Sequence, residues 1–198
     1  YIQMDSTCGV FCMNAAQAVD RLRADAHFSR NLTTWKTIPP REPRYGGFPE
    51  GLHPRLVAGL QKRGIHNLYT HQTEAVEAVL KGEHVCVVTP TASGKTLCYN
   101  VPVLHTLMSN PDARALYLFP TKALSHDQVT ELQSTVEELE VKIGTFTFDG
   151  DTPASARKAV RNAGHIVVTN PDMLHTGILP HHTIWMRLFE NLKYVVID

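Results

Sequence analysis

A doubly wound α/β domain on a mostly parallel sheet is the fold class this sequence predicts, and three features predict it. Short runs such as "HVCVVT", "ALYLF", "KIGTFTF", "HIVVT" and "YVVID" are rich in Val, Ile and Leu along their length, as strands covered on both faces are. Segments with helical spacing separate them, which is the alternation a parallel sheet with crossover helices requires. The unusual motifs fall just after these runs, at the carboxyl ends of strands, where open α/β sheets collect their ligands.

The elements follow in order. Residues 14 to 28 place Ala18, Leu22 and Ala26 on one helical stripe. A polar, proline-rich passage from Thr33 to Pro54, containing "IPPREPRYGGFPEGLHP", reads as an ordered arm. Pro54 suits the first turn of a short helix over 54 to 63, which carries Leu56, Val57 and Leu60 and stops at Gly64. A helix over 71 to 81 ends at Gly82, and the strand "HVCVVT" follows at once. The loop "TPTASGKT" leads into a helix through Met108. The strand "ALYLF" at 115 to 119 passes through "PTKALSHDQ" into a helix whose Val129, Leu132, Val136 and Leu139 recur at helical spacing. "KIGTFTF" precedes "DGDTP" and a helix over 153 to 163; "HIVVT" enters "NPDMLH"; a mixed segment around Trp185 leads to the strand "YVVID".

Composition bounds the rest. A chain of 198 residues, 43% hydrophobic, buries a real core and fits one domain better than two. Its 19 Lys and Arg balance its 19 Asp and Glu, so any contact with a polyanion has to be local. No apolar run reaches the roughly 18 residues that span a bilayer, and the start lacks the charged-then-apolar order of a signal peptide. The expectation is a cytoplasmic protein without a membrane partner. Cys8, Cys12, Cys86 and Cys98 show no C-x-x-C spacing; Cys86 and Cys98 fall in apolar or helical segments, as reduced core thiols do. Tyr1 in place of Met, and an end directly after a buried-type strand, suggest a fragment.

The chemistry centres on "TPTASGKT". Small residues let backbone N–H groups approach a phosphate at the start of a helix, where the helix dipole also favours negative charge. Lys95 is placed to reach the β- and γ-phosphates and the Thr96 hydroxyl to help hold Mg²⁺. Thr89 stands where the common phosphate-loop pattern has its first glycine. A bare G-K-T before a helix is as often an ordinary turn with an exposed lysine, so context decides. Asp198, at the carboxyl end of "YVVID", supplies the second acid that a metal site beside Thr96 needs.

Taken together, "IPPREPRY", "LYTHQTEAV", "TPTASGKTLCYN", "PTKALSHDQ", "FDGDTP", "TNPDMLH" and "YVVID" resemble the first RecA-like domain of superfamily two helicases of the DEAD/DEAH type. Within it they are most similar to the mitomycin repair factor A-like DNA helicases, over about Trp35 to Asp198. That superfamily commonly lacks the leading glycine, which accounts for Thr89. The resemblance implies an ATP-dependent DNA helicase or translocase acting in DNA repair, with ATP and Mg²⁺ as cofactors. It implies that Gln72 reads adenine and that Thr91, Ala92, Ser93, Gly94, Lys95 and Thr96 bind phosphates, with Lys95, Thr96 and Asp198 catalytic and Thr96 and Asp198 on the metal. Pro120, Thr121, Lys122, Gly150, Asp151, Thr169 and Asn170 are implied to touch a nucleic-acid strand, DNA rather than RNA. A second RecA-like domain that supplies arginine fingers is the implied partner. The implied division is a helix and proline-rich arm over 1–54 and a RecA-like ATP-binding domain over 55–198, cut short at its C-terminal end. Ser125 and His126 depart from the expected Ala-Gln, and the segment before Thr33 matches nothing in the family.

Plainer readings compete. Gln72 alone is an ordinary polar residue in a first helical turn, and Lys122 an ordinary solvated lysine. Arg157, Lys158 and Arg161 form a basic helix face that reads as solvated. His175, His181 and His182 lack a carboxylate or cysteine partner at metal-ligand spacing. Trp185, Leu188, Phe189 and Leu192 read as core packing. A DEAD-box RNA helicase, or a nucleic-acid-binding module clamped by nucleotide without turnover, is the alternative function.

Overall fold

The structure, a computed structural model, describes residues 14–39 and 42–198; Cys8, Cys12, Pro40 and Arg41 lie outside the described residues. The chain divides between Glu42 and Pro43 into two compact units. In the first, the helix expected over 14 to 28 is two: α1 (Ala15–Ala24) and α2 (Ala26–Arg30). Asp25 divides them because its carboxylate accepts from the N–H groups of His27 and Phe28, and so caps a new helix instead of continuing the old one. Neither helix buries a residue. Within this unit the Arg23 guanidinium lies 4.3 Å from the centre of the Trp35 ring.

The second unit takes in residues 43 to 54 as well, which the sequence assigns to the arm. Gly46 N–H donates to the Leu68 carbonyl, Thr70 N–H donates to the Arg44 carbonyl, and Leu52 is buried in the core. Then come α3 (Pro54–Lys62), α4 (Thr70–Leu80), α5 (Lys95–Ser109), β1 (Arg114–Leu118), α6 (Lys122–Glu138), β2 (Thr145–Thr147), α7 (Ala154–Ala163) and β3 (Ile166–Thr169). A short turn of helix, α8 (Pro171–Met173), runs into irregular helical turns through Trp185, then α9 (Met186–Glu190) and β4 (Leu192–Ile197). No helix among the described residues is long and apolar enough to cross a membrane.

The sheet has four parallel strands in the order β2-β3-β1-β4. Strand side chains alternate between faces, so one apolar run feeds two cores. From β1, Ala115 and Tyr117 enter a cluster on one face with Leu56, Val76, Leu104 and Leu132 from the helices and Leu68 from the connection before α4. Leu116 and Leu118 enter the other, with Phe148, Val160, Ile178, Trp185 and Leu188. Ile166 and Val168 of β3 join the first cluster and Val167 the second. Trp185 and Leu188 are thus core, with Phe189 and Leu192 packed against them.

One expected strand does not form. Residues 83–90, which include "HVCVVT", take no regular secondary structure; Val88 is 89% exposed, and Cys86, expected as a core thiol, is exposed. β4 pairs with β1 along one edge, and Val195 and Ile197 stay exposed. Between this segment and β4 runs a cleft of about 490 Å³, lined by Val85, Val87, Cys98, Val103 and Val196 among others, with Lys95, Tyr99 and Asp198 also on its wall. An apolar strand without a hydrogen-bonded neighbour keeps its composition and loses its burial.

Candidate functional site

The helix α5 begins in its phosphate-type loop. Gly94 takes φ 75°, and a Cβ there would come within 2.6 Å of the Gln72 amide nitrogen, so the position demands glycine twice over. Ala92 also has positive φ, at 58°, a conformation that alanine adopts only under constraint. The constraint is visible. Thr89 Oγ1 and Ser93 Oγ lie 2.6 Å apart across the base of the loop, and Lys95 Nζ donates to the carbonyls of Thr89 and Pro90, each at 3.0 Å. Thr89, the residue in the first-glycine position, thereby closes the loop with its hydroxyl. Among the described residues, no backbone acceptor takes the N–H groups of Ala92 through Thr96, and α5 has no side-chain cap. They are the donors that an anion at a helix start uses.

Gln72 is 2% exposed. Its Oε1 accepts from Tyr69 N–H at 2.9 Å and its Nε2 donates to the Gly94 carbonyl at 2.8 Å, so it braces the loop against the first turn of α4. His71 adds a second brace, its Nε2 lying 3.2 Å from the Ser93 carbonyl. Its ring ends a stack with Tyr69 and Tyr45, with centroids 5.9 and 5.3 Å apart. The sequence reading passed over Tyr45, Tyr69 and His71.

Thr96 and Asp198 come from α5 and from the residue after β4, and Tyr99 joins them. The Tyr99 hydroxyl donates to Asp198 Oδ2 at 2.9 Å, with the Thr96 side chain nearby. Burial of the ring, followed by the neighbouring Asp198 charge, raises the phenol's pKa and keeps it protonated, while the Thr96 contact pulls the other way. Tyr99 follows Thr96 by three residues, which puts both on one helical face, and that spacing was the legible signal. Hydroxyl and carboxylate oxygens within reach of one phenol are hard donors of the type that Mg²⁺ accepts.

The remaining motif residues line the carboxyl ends of β1, β2 and β3. Thr121 caps α6, its hydroxyl accepting from Leu124 N–H, and Pro120, Thr121 and Lys122 are exposed. Lys122 is paired with Asp151, which raises its pKa through that hydrogen bond. Asp151 sits in a turn knotted by Thr152 Oγ1, which accepts from Asp149 N–H, and by Asp149 Oδ1, which accepts from Asp151 N–H. Two sequence expectations change here. Thr169 is 2% exposed and its hydroxyl donates to the Phe148 carbonyl at 2.6 Å, so its side chain is buried and pins the end of β2. Arg157 is half-buried, not solvated: its Nε donates to the Thr152 carbonyl at 3.0 Å and its guanidinium lies 5.3 Å from the Phe148 ring centre. Asn170 remains at the rim, where its Oδ1 accepts from Met173 N–H and caps α8.

Comparison with known proteins agrees with this geometry. The family profile of the DEAD/DEAH box helicases matches residues 69–198. The chain belongs to the DEAD/DEAH box helicase family. It is 54% identical over 92% of its length to an uncharacterized ATP-dependent helicase, YprA, of Bacillus subtilis, and 35% identical over 92% to the ATP-dependent helicase HRQ1 of Saccharomyces cerevisiae. Those matches cover 24% and 17% of the two relatives. The crystal structure of the DUF1998 helicase MrfA bound to DNA and AMPPNP superposes with a TM-score of 0.83 at 53% identity, covering 92% of this chain and 25% of that one. The helicase resemblance read from the motifs is therefore the family, and the MrfA-like group is the part of it the chain matches.

Proposed function

We propose that the chain is the first motor half of an ATP-dependent DNA helicase or translocase that serves DNA repair. The observation that supports this reading is the placement of Asp198 against Tyr99 of α5, with Lys95 on the wall of the same cleft and N–H groups at the start of α5 that no backbone acceptor takes. Phosphates taken up by the loop give Lys95 a stronger acceptor than the carbonyls of Thr89 and Pro90, so the loop opens as it fills. Thr96 and Asp198 would hold Mg²⁺, which when bound neutralises charge building on the transferred phosphoryl group. Adenine recognition falls to Gln72, whose amide has one N–H and one oxygen lone pair left beyond its two present partners.

The exposed residues Pro120, Thr121, Lys122 and Gly150, with Asn170, offer turns at strand ends that suit a phosphate backbone and read no base edges. DNA is the favoured polymer because MrfA is a DNA-bound relative at high identity. A second RecA-like domain outside this chain would complete the site with arginine fingers.

The test is the ATPase rate of the full-length protein with single-stranded DNA and with RNA of equal length. DNA should stimulate and RNA should not, and Lys95→Ala should lower kcat by about 100-fold or more. Equal or greater stimulation by RNA would turn the reading to an RNA helicase.

A further inference from the structure

We propose that Tyr99 is a positioning residue for the metal–nucleotide site, holding the Asp198 carboxylate beside Thr96 and tying it to Gln128 on α6. The inference rests on the reading of Lys95, Thr96 and Asp198 as the ATP site.

Tyr99 stands at a junction of three elements: its own α5, the end of β4 through Asp198, and α6 through Gln128. The distances are 2.9 Å to Asp198 Oδ2 and 3.3 Å to Gln128 Oε1. A phenol has one proton, so it donates to one of these acceptors at a time. The charged and nearer carboxylate holds it in this structure. Asp198 follows the last paired residue of β4; its backbone N–H bond to the Leu118 carbonyl orients the chain and not the carboxylate, which the Tyr99 hydroxyl holds.

The ring itself has a plain structural duty, edge-on to Tyr117 at 5.5 Å, which phenylalanine would perform equally well. The hydroxyl does something further. When a cation or its water engages Asp198, the phenol turns its O–H to donate to Gln128 Oε1, in the second turn of the helix that Thr121 caps at the nucleic-acid motif. Occupancy of the metal site and the setting of α6 are therefore read by the same proton.

The experiment uses the full-length protein and a fluorescent ADP analogue. Tyr99→Phe should leave analogue binding in excess EDTA unchanged while raising the half-saturating Mg²⁺ concentration roughly five- to tenfold, the value of one hydrogen bond to a charged group. An unshifted Mg²⁺ midpoint, or an equal loss in EDTA and in Mg²⁺, overturns the proposal. Gln128→Leu should keep the Mg²⁺ midpoint and, like Tyr99→Phe, shrink the factor by which a non-hydrolysable ATP analogue changes affinity for single-stranded DNA. Wild-type coupling in both variants overturns the tie to α6. Thr96→Ala and Asp198→Asn separate the two levels of failure. If neither alters Mg²⁺ dependence, the ATP-site reading has failed; if both do and Tyr99→Phe does not, only the role of Tyr99 falls.

Discussion

At the scale of single residues, the sign of a charge decides what a motif residue can do. Asp151 lies among the residues that the family resemblance assigns to nucleic acid, yet its carboxylate holds Lys122, the cation best placed for a phosphate. A phosphate and a carboxylate are competitors for one ammonium. Both side chains are exposed, so the pair contributes little to stability and is easily exchanged. We therefore expect Asp151→Asn to tighten binding of single-stranded DNA by the full-length protein, by about two- to fivefold at low salt. Lys122→Ala should weaken it and reduce the salt slope by about one. Fluorescence anisotropy across a salt series measures both, and weaker binding by Asp151→Asn would mean that the aspartate itself contacts the strand. Gln72 teaches the complementary lesson, since its position before the loop's strand was legible while its burial was not. Whether an amide faces a ligand or braces a loop depends on Gly94, which leaves room for it.

Elements were legible where local pattern and partner agree. The helix over 54 to 63 ends one residue early at Lys62, and "HIVVT" and "YVVID" are strands, because period and punctuation both lie in the local sequence; the helix expected beyond "PTKALSHDQ" already starts at Lys122, inside that motif. "KIGTFTF" shrinks to Thr145–Thr147 and "HVCVVT" does not pair, because strand length depends on a neighbour that no local window contains. Histidines that pin element ends were likewise invisible. His105 Nδ1 accepts from His53 N–H at the start of α3, and His165 Nδ1 accepts from Gly144 N–H before β2. Burial lowers both pKa values, assisted by His53 for His105 and by Arg114 and Arg187 for His165. Below the ordinary histidine pKa of 6.5 the unfolded chain takes protons that the folded one refuses, so this contribution is full above that pH and falls as acid is added toward the folded values. The melting temperature of the 198-residue chain should drop between about pH 6.5 and 5. His105→Asn, which keeps an acceptor without a titrating ring, should flatten that drop by about 2–4 °C; an unchanged slope would remove His105 from the acid response.

At the scale of the whole molecule, the site is an edge that faces outward. Lys95 rests on its own loop's carbonyls, and the cleft beside β4 opens next to a segment that no strand pairs among the described residues. Charges act strongly on a phosphoryl group only in desolvated surroundings. The chain spans about a quarter of the MrfA structure it matches. The second motor domain proposed above would supply the missing transition-state charge, and an arginine finger is worth about 10³- to 10⁵-fold in kcat. The 198-residue chain alone should therefore bind ATP weakly, hydrolyse it hardly at all even with single-stranded DNA present, and leave duplex DNA wound. Its ATPase rate, measured beside the full-length protein under identical DNA and Mg²⁺, should lie at least about 1,000-fold lower. A rate within about tenfold would mean that this edge is a complete catalytic site and that the second domain serves only to move DNA.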